Sequence, residues 1–316
     1  MSRKSVLISG GAGFLGSHLA QYYFDNGDKV VVVDNLSTGR KQNIQQLIDG
    51  NKITFINFDI TEPLPKEVTD RKYDIVANLA SPASPPRYQE LGIETMLVGS
   101  IGTLNMLDLA NKNKARFFHA STSEVYGDPE VHPQTESYKG SVNCYGPRSM
   151  YDEAKRFSEA LIYTYIQKHD VSTCVARFFN TYGPNMDPDD GRVVSNFIVQ
   201  ALGSEPLTIY GEGNQTRSFC YVDDLINGIV KLIDSDINDP INLGNPSEFT
   251  ILELADLIKK ITKKEVKFIS KQLPGDDPTQ RKPDITKAIE KLHWSPSIEL
   301  EEGLLKTVDY FRTILD

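Results

Sequence analysis

Between an apolar run, Ser5 to Ser9, and a stretch in which Phe14, Leu15, Leu19, Ala20, Tyr23 and Phe24 recur at helical spacing, the chain places Gly10, Gly11, Gly13 and Gly16. A buried strand followed by an amphipathic helix is the simplest reading of that order, so the glycines fall in the turn between them. Gly11, Gly13 and Gly16 fit the G-x-G-x-x-G dinucleotide fingerprint, and Gly10, Gly13 and Gly16 fit its GxxGxxG variant. Missing Cβ atoms let the backbone turn tightly, let a pyrophosphate reach the helix N-terminus, and let helix pack on strand. A second strand, Lys29 to Val33, leads into Asp34, eighteen residues after Gly16, where a carboxylate meets the ribose hydroxyls of an adenosine. That charge repels a ribose phosphate and favours NAD over NADP, with Arg40 the one neighbour that argues the other way.

Strand patterns alternate with helical ones through the first half of the chain: Ser5 to Ser9, Lys29 to Val33, Ile53 to Phe58, Ile75 to Leu79, Arg116 to Ala120 and Thr173 to Phe178. Helices are expected near Gly13 to Asn26, Arg40 to Ile48, Thr95 to Asn113 and Met150 to His169. Such alternation predicts an α/β fold, a Rossmann-type doubly wound parallel sheet covered on both faces. Ligands then gather at the strand ends. Gly10, Gly13, Phe14, Leu15 and Gly16 are the expected cofactor contacts in the loop, with Asp34 and Asn35 after the second strand, Asp59 and Ile60 after the third, and Leu79 and Ala80 at the fourth.

Beyond Phe178 the chain becomes turn-rich, with Asn180-Thr181-Tyr182-Gly183-Pro184, a helical stretch from Val193 and a strand at Leu207 to Tyr210. Two more helices, Tyr221 to Ile233 and Ile251 to Ile261, flank a strand at Pro240 to Leu243. A loop marked by Pro274, Gly275 and Pro278 precedes Gln280-Arg281-Lys282-Pro283-Asp284. The expected division is a dinucleotide domain over 1–179, to which part of 217–245 returns, and a smaller, interleaved substrate domain over most of 180–316.

A net charge of -9 and a pI near 5.2 disfavour nucleic acid or an anionic membrane as partner. A small anionic ligand is still compatible, because a few local arginines suffice to bind it. Cys144, Cys174 and Cys220 are odd in number and show no metal-ligand spacing, so we expect a reducing compartment and no metal site. The sequence shows no signal-peptide pattern and no run of about eighteen apolar residues, so a cytoplasmic protein is expected.

Tyr151-Asp152-Glu153-Ala154-Lys155 sets a phenol and an ammonium one helical turn apart on one face. With 14 tyrosines in the chain, the bare pattern arises by chance about once, and its weight comes from its place after the fifth strand. A phenol with an ordinary pKa of about 10 is a poor base at neutral pH. Lys155 and a nicotinamide ring, both within a few ångströms in a dry site, would bring it down and let Tyr151 take a proton from a substrate hydroxyl. Ser121-Thr122-Ser123-Glu124-Val125-Tyr126-Gly127 ends the fifth strand over the same cleft, where Thr122 and Ser123 offer hydroxyls and Glu124 offers an acid or base. His119 and Trp294 read as core residues.

These stretches together resemble the extended short-chain dehydrogenase/reductase superfamily of nucleotide-sugar enzymes. Within it the chain is most similar to the branch that decarboxylates UDP-glucuronate. The resemblance rests on Gly10 to Gly16, Leu79-Ala80-Ser81-Pro82-Ala83-Ser84-Pro85-Pro86, the run from Ala120 to Pro133, Tyr151 with Lys155, and Asn180 to Pro184. Asp190 to Phe197, Gln215-Thr216-Arg217, Asn242-Leu243-Gly244-Asn245-Pro246 and Asp277 to Asp284 extend it over nearly the whole chain. It implies bound NAD and a cycle of C4 oxidation, loss of carbon dioxide, C5 protonation and C4 re-reduction that yields UDP-xylose. Tyr151 and Lys155 are then catalytic and also contact the cofactor. Thr122, Ser123 and Glu124 complete the catalytic set, with Glu124, through water, a candidate for returning the C5 proton.

The resemblance further implies that Asn180, Arg192, Tyr210, Arg217 and Arg281 hold the nucleotide diphosphate and uridine. Arg281 has the sugar carboxylate as its alternative, and Tyr88 is either a substrate-side phenol or a packing residue. A homodimer through helices near Thr95 and Met150 is implied in the same way. A nucleotide-sugar 4-epimerase or 4,6-dehydratase is the rival within the superfamily, and a catalytically silent NAD-binding regulator is the rival outside it. Two local departures stand out: Gly99 occupies a position where many relatives carry Asn, and the Asn143 to Arg148 approach to Tyr151 differs from the commonest form.

Overall fold

The apolar runs do assemble as one parallel sheet in the computed structural model, which describes residues 3–272 and 280–315. Its strands are β1 (Ser5–Ser9), β2 (Lys29–Asp34), β3 (Thr54–Asn57), β4 (Ile75–Asn78), β5 (Arg116–Thr122), β6 (Thr173–Phe178) and a last strand, Ile241–Leu243. They lie in the order β3-β2-β1-β4-β5-β6 followed by Ile241–Leu243. Register is continuous across the centre, with Ser9 opposite both Val33 and Asn78, and Asn78 opposite His119. The winding direction reverses between β1 and β4, which opens a crevice at the C-terminal strand ends.

Both sheet faces are covered, as the continuous apolar character of the strands requires. One face packs on the Phe14–Asp25 and Val222–Ile233 helices through Leu19, Tyr23, Ile226 and Ile229. The other packs on the Thr103–Asn113 and Ser149–His169 helices through Met106, Leu107 and Ile162. His119 and Trp294 are buried, the latter donating its indole N–H to the Asp224 carbonyl at 2.9 Å. Among the described residues no helix is long and apolar enough to cross a membrane.

Two helices differ from the sequence expectation. The stretch from Thr95 to Asn113 is helical throughout, but it starts earlier and changes winding, running as Gly92–Leu97, a π-type segment Val98–Gly102, and Thr103–Asn113. Gly99 sits in that segment against the Ser149–His169 helix. A Cβ there would lie 2.7 Å from the Ala154 Cβ, and the Gly99 carbonyl accepts the Ser158 hydroxyl at 2.6 Å. Close helix approach at this point accounts for the glycine. The region after Arg40 is a 3-10 turn, Lys41–Ile44, running into a short helix, Gln45–Asp49.

In the second half, Leu207–Tyr210 pairs in parallel with Phe268–Lys271. The Ile251–Thr262 helix begins with a capping box between Thr250 and Glu253. A terminal helix, Leu300–Leu315, buries Leu304, Val308 and Phe311 at four- and three-residue spacing. Pro274, Gly275, Pro278 and the Asp277 end of the Asp277 to Asp284 stretch lie outside the described residues.

Candidate active site

The crevice is the mouth of a cavity of about 660 Å³. At one end lies the glycine turn. Gly10 has φ +70° and a Cβ there would meet the Ala80 backbone at 2.7 Å, while a Cβ on Gly16 would come 2.1 Å from the Gly10 carbonyl. Gly13 caps the Phe14–Asp25 helix in extended conformation, with no side chain covering the first-turn N–H groups. A bare helix N-terminus behind a turn too tight for any Cβ fits a dinucleotide pyrophosphate. Asp34 is buried at the end of β2, where its carboxylate accepts from the Ala12 N–H at 3.0 Å and the Leu36 N–H at 2.8 Å. Burial raises its pKa against those two hydrogen bonds.

Asn35 links Asp34 to Asp59, donating to the Asp59 carboxylate at 2.8 Å. Partial burial would raise Asp59, but hydrogen bonds from Thr61 and Asn35 hold it below the ordinary carboxylate range. Phe14, Leu15, Ile60, Leu79 and Ala80 also line the cavity, so the residues expected at three strand ends and one loop converge on one ligand-sized space. Those residues fit NAD.

At the other end the Ser149–His169 helix presents Tyr151 and Lys155, both buried. The Lys155 ammonium donates to the Ala120 carbonyl at 2.8 Å and lies 5.8 Å from the Tyr151 ring centroid. Burial lowers the Lys155 pKa to about 8, with Glu159 acting the other way. Burial also pushes the Tyr151 phenol up, opposed by its hydrogen bond with Thr122. Burial of the phenol therefore works against the lowering expected from Lys155 and a nicotinamide ring together. Tyr88 lines the cavity and stacks on Tyr151, and its hydroxyl is buried with no hydrogen-bond partner among the described residues.

β5 ends at Thr122, which caps a 3-10 turn, Ser123–Tyr126, by accepting the Glu124 N–H at 3.2 Å. Ser121 turns away and donates its hydroxyl to Glu159 at 2.5 Å. The turn projects Glu124 between two guanidinium groups, Arg148 at 2.7 Å and Arg281 at 3.3 Å. Burial would raise the Glu124 pKa, but Arg281 and Arg148, with Arg217 beyond them, hold it below the usual range. Glu124 is thus a fixed carboxylate and an unsuitable source of a proton from its own oxygen. Arg281 is itself buried and also donates to the Ser123 and Gly127 carbonyls.

Asn180, Arg192, Tyr210 and Arg217 line the remaining wall with Arg281. Arg192 is paired with Asp190, and Arg217 donates to the Thr216 carbonyl at 2.9 Å. Two residues at the site were not singled out by sequence reasoning. Arg148, three residues before Tyr151, caps the Ser149–His169 helix, pairs with Glu124 and lies over the Tyr88 ring at 5.9 Å, contacts its place in the sequence does not display. Asp152 is buried, and its pKa rises to about 7 through desolvation and the neighbouring Glu124 charge, against Arg148.

A family model described as the NAD dependent epimerase/dehydratase family matches residues 6–244. Over 316 residues the chain is 53% identical to UDP-glucuronic acid decarboxylase 1 of Xenopus tropicalis, covering 99% of this chain and 73% of that protein. It is 50% identical over 312 residues to UDP-glucuronic acid decarboxylase 6 of Arabidopsis thaliana, covering 98% and 90%. Among solved structures, the UDP-glucuronic acid 4-epimerase from Bacillus cereus, in complex with UDP-glucuronic acid and NAD, matches with a TM-score of 0.87 at 31% identity, covering 98% of this chain and 99% of that one. The UDP-glucose 4-epimerase of Thermotoga maritima matches with a TM-score of 0.91 at 30% identity, covering 99% and 100%.

Proposed function

The chain belongs to the NAD dependent epimerase/dehydratase family, and from that premise we propose that it converts UDP-glucuronate to UDP-xylose and carbon dioxide. The observation that carries the choice is a difference in likeness. Over nearly the full chain it shares about half its residues with decarboxylases, and less than a third with the epimerases of the same fold. The test is release of carbon dioxide from UDP-glucuronate labelled at C6. Label retained in a nucleotide sugar overturns the proposal.

Gly10, Gly13, Gly16 and Asp34 would hold NAD, which when bound supplies reversible removal and return of the C4 hydrogen with its electron pair. The chain's own residues handle the protons and charges. Tyr151 takes the proton of the C4 hydroxyl as that carbon is oxidised and gives it back when the carbon is reduced. Lys155 stabilises the phenolate, since an ammonium in a dry site favours the charged form of a neighbouring phenol. Thr122 holds the phenol oxygen, and Ser123 lies beside it in the same turn.

Oxidation at C4 places a ketone β to the C6 carboxylate, so carbon dioxide leaves with its electrons delocalised into an enolate. Arg281, buried against Glu124, is suited to orient the sugar carboxylate, because a guanidinium fork fixes direction as well as charge. Glu124, its own carboxyl held ionised, orients a water that protonates C5, and the hydroxide left behind takes a proton from solvent. Asn180, Arg192, Tyr210 and Arg217 grip the nucleotide diphosphate and uridine.

We infer a homodimer and a reducing, cytoplasmic location on more general grounds. Ile93, Met96 and Ile101 are 73%, 51% and 43% exposed, and Phe157 and Tyr163 on the Ser149–His169 helix are 52% and 65% exposed. Such a cluster of large exposed apolar side chains on adjoining helices suits a second copy of the same surface. Sedimentation at micromolar concentration tests it, and a monomer there overturns it. Cys144, Cys174 and Cys220 are free thiols, as in a reducing compartment.

A further inference from the structure

Asn242 lies at the edge of the sheet, opposite Arg177 of β6, and is fully buried. Its side-chain oxygen accepts the Tyr126 hydroxyl at 2.7 Å. Its side-chain nitrogen donates to the Gln134 carbonyl at 2.9 Å and to the Asp284 carbonyl at 3.1 Å. Each of these partners leads toward the active site. Tyr126 closes the 3-10 turn that carries Glu124, and its hydroxyl also receives Arg177 at 3.0 Å. Gln134 and Asp284 belong to two segments zipped together around Arg281. The Gln134 N–H donates to the Lys282 carbonyl at 2.9 Å, the Lys282 N–H donates to the Gln134 side chain at 2.9 Å, and the Asp284 N–H donates to the Gln134 carbonyl at 2.9 Å.

One amide thus spans both supports of an ion pair whose members are 157 residues apart in sequence. A buried amide with every hydrogen bond satisfied is rigid, and it is costly to leave partly satisfied. We propose that Asn242, through Tyr126 on one side and the Gln134–Asp284 strip on the other, is a positioning residue that fixes Arg281 against Glu124. It does not line the active-site cavity. The inference deepens the decarboxylase reading and rests on it for the roles of Glu124 and Arg281, while the arrangement of the pair can be tested without that reading.

The test uses the NAD-loaded full-length protein with Asn242→Ala and the milder Tyr126→Phe, which removes one hydrogen bond and keeps the ring. The first readout is the carbon-13 carboxyl resonance of Glu124 followed over pH, assigned with Glu124→Gln. Loosening Arg281 raises the apparent pKa of Glu124 by roughly one unit in either variant, since a nearby opposite charge is what favours the ionised form. An unchanged titration in a folded variant overturns the proposal, whatever the substrate is. The second readout is UDP-glucuronate turnover. A misplaced group costs roughly tenfold to hundredfold in kcat with NAD affinity unchanged, and the loss shrinks when Glu124 is already Gln. Equal losses in both backgrounds overturn the positioning role. If wild-type protein leaves UDP-glucuronate intact, the functional reading fails, and the carboxyl titration alone decides the role of Asn242. Should Asn242→Ala not fold, Tyr126→Phe carries both readouts.

Discussion

Tyr88 and Tyr151 lie face to face, their ring centroids 4.8 Å apart and their planes 7° from parallel. Tyr151 thereby has one ring face held by packing and its oxygen held by Thr122. Holding a reactive group in a single rotamer is a direct contribution to rate, because reaction requires near-attack geometry.

The buried Tyr88 hydroxyl has no hydrogen-bond partner, so its removal should relieve a desolvated polar group and keep the stack. Tyr88→Phe is expected to retain activity and to raise the melting temperature slightly. Tyr88→Leu, which abolishes the stack, is expected to lower kcat roughly tenfold with little change in NAD affinity. Melting curves with steady-state kinetics check both. Equal loss in the two variants would instead assign the hydroxyl a direct role.

Gly99 makes a second, structural prediction. With a Cβ at 2.7 Å from the Ala154 Cβ, introducing Asn overpacks the contact between the two helices. Gly99→Asn is expected to cost about 1–3 kcal/mol in chemical denaturation. No loss would mean that the Ser149–His169 helix shifts readily to admit the larger residue.

Lys155 gives a pH-dependent prediction. Its folded-state pKa lies near 8, below the ordinary 10.5, because burial disfavours the ammonium. The cost of burying that charge is present in full below about pH 8 and is relieved as pH rises toward 10.5. Lys155→Met should therefore stabilise the cofactor-free protein at pH 7, should lose that advantage near pH 10, and should abolish turnover. Denaturant midpoints at the two pH values check the sign. A variant that is less stable at pH 7 would show that the hydrogen bond to Ala120 outweighs desolvation.

What the sequence displayed was local. The strands β1 to β6 were legible because buried parallel strands read as short apolar runs, and the glycine turn was legible because backbone geometry alone demands those residues. The position of Asp34 followed from spacing after that turn. The close contact of Gly99 in the π-type turn at Val98–Gly102 was not legible, since its partner, Ala154, lies on another helix. Nor was the environment of Glu124. Its ion partners sit 24 residues away at Arg148 and 157 away at Arg281, and only the folded chain shows two guanidinium groups converging on one carboxylate. For the same reason a raised Tyr151 was not foreseen, because a motif names its groups but not their desolvation.

The most direct test of the central claim is proton NMR of the purified protein with UDP-glucuronate and catalytic NAD in deuterated water. The account predicts UDP-xylose carrying one solvent deuterium at C5, released carbon dioxide and no net change in cofactor redox state. Accumulation of the C4 epimer, with its carboxylate retained and no deuterium at C5, would contradict it and make the chain an epimerase.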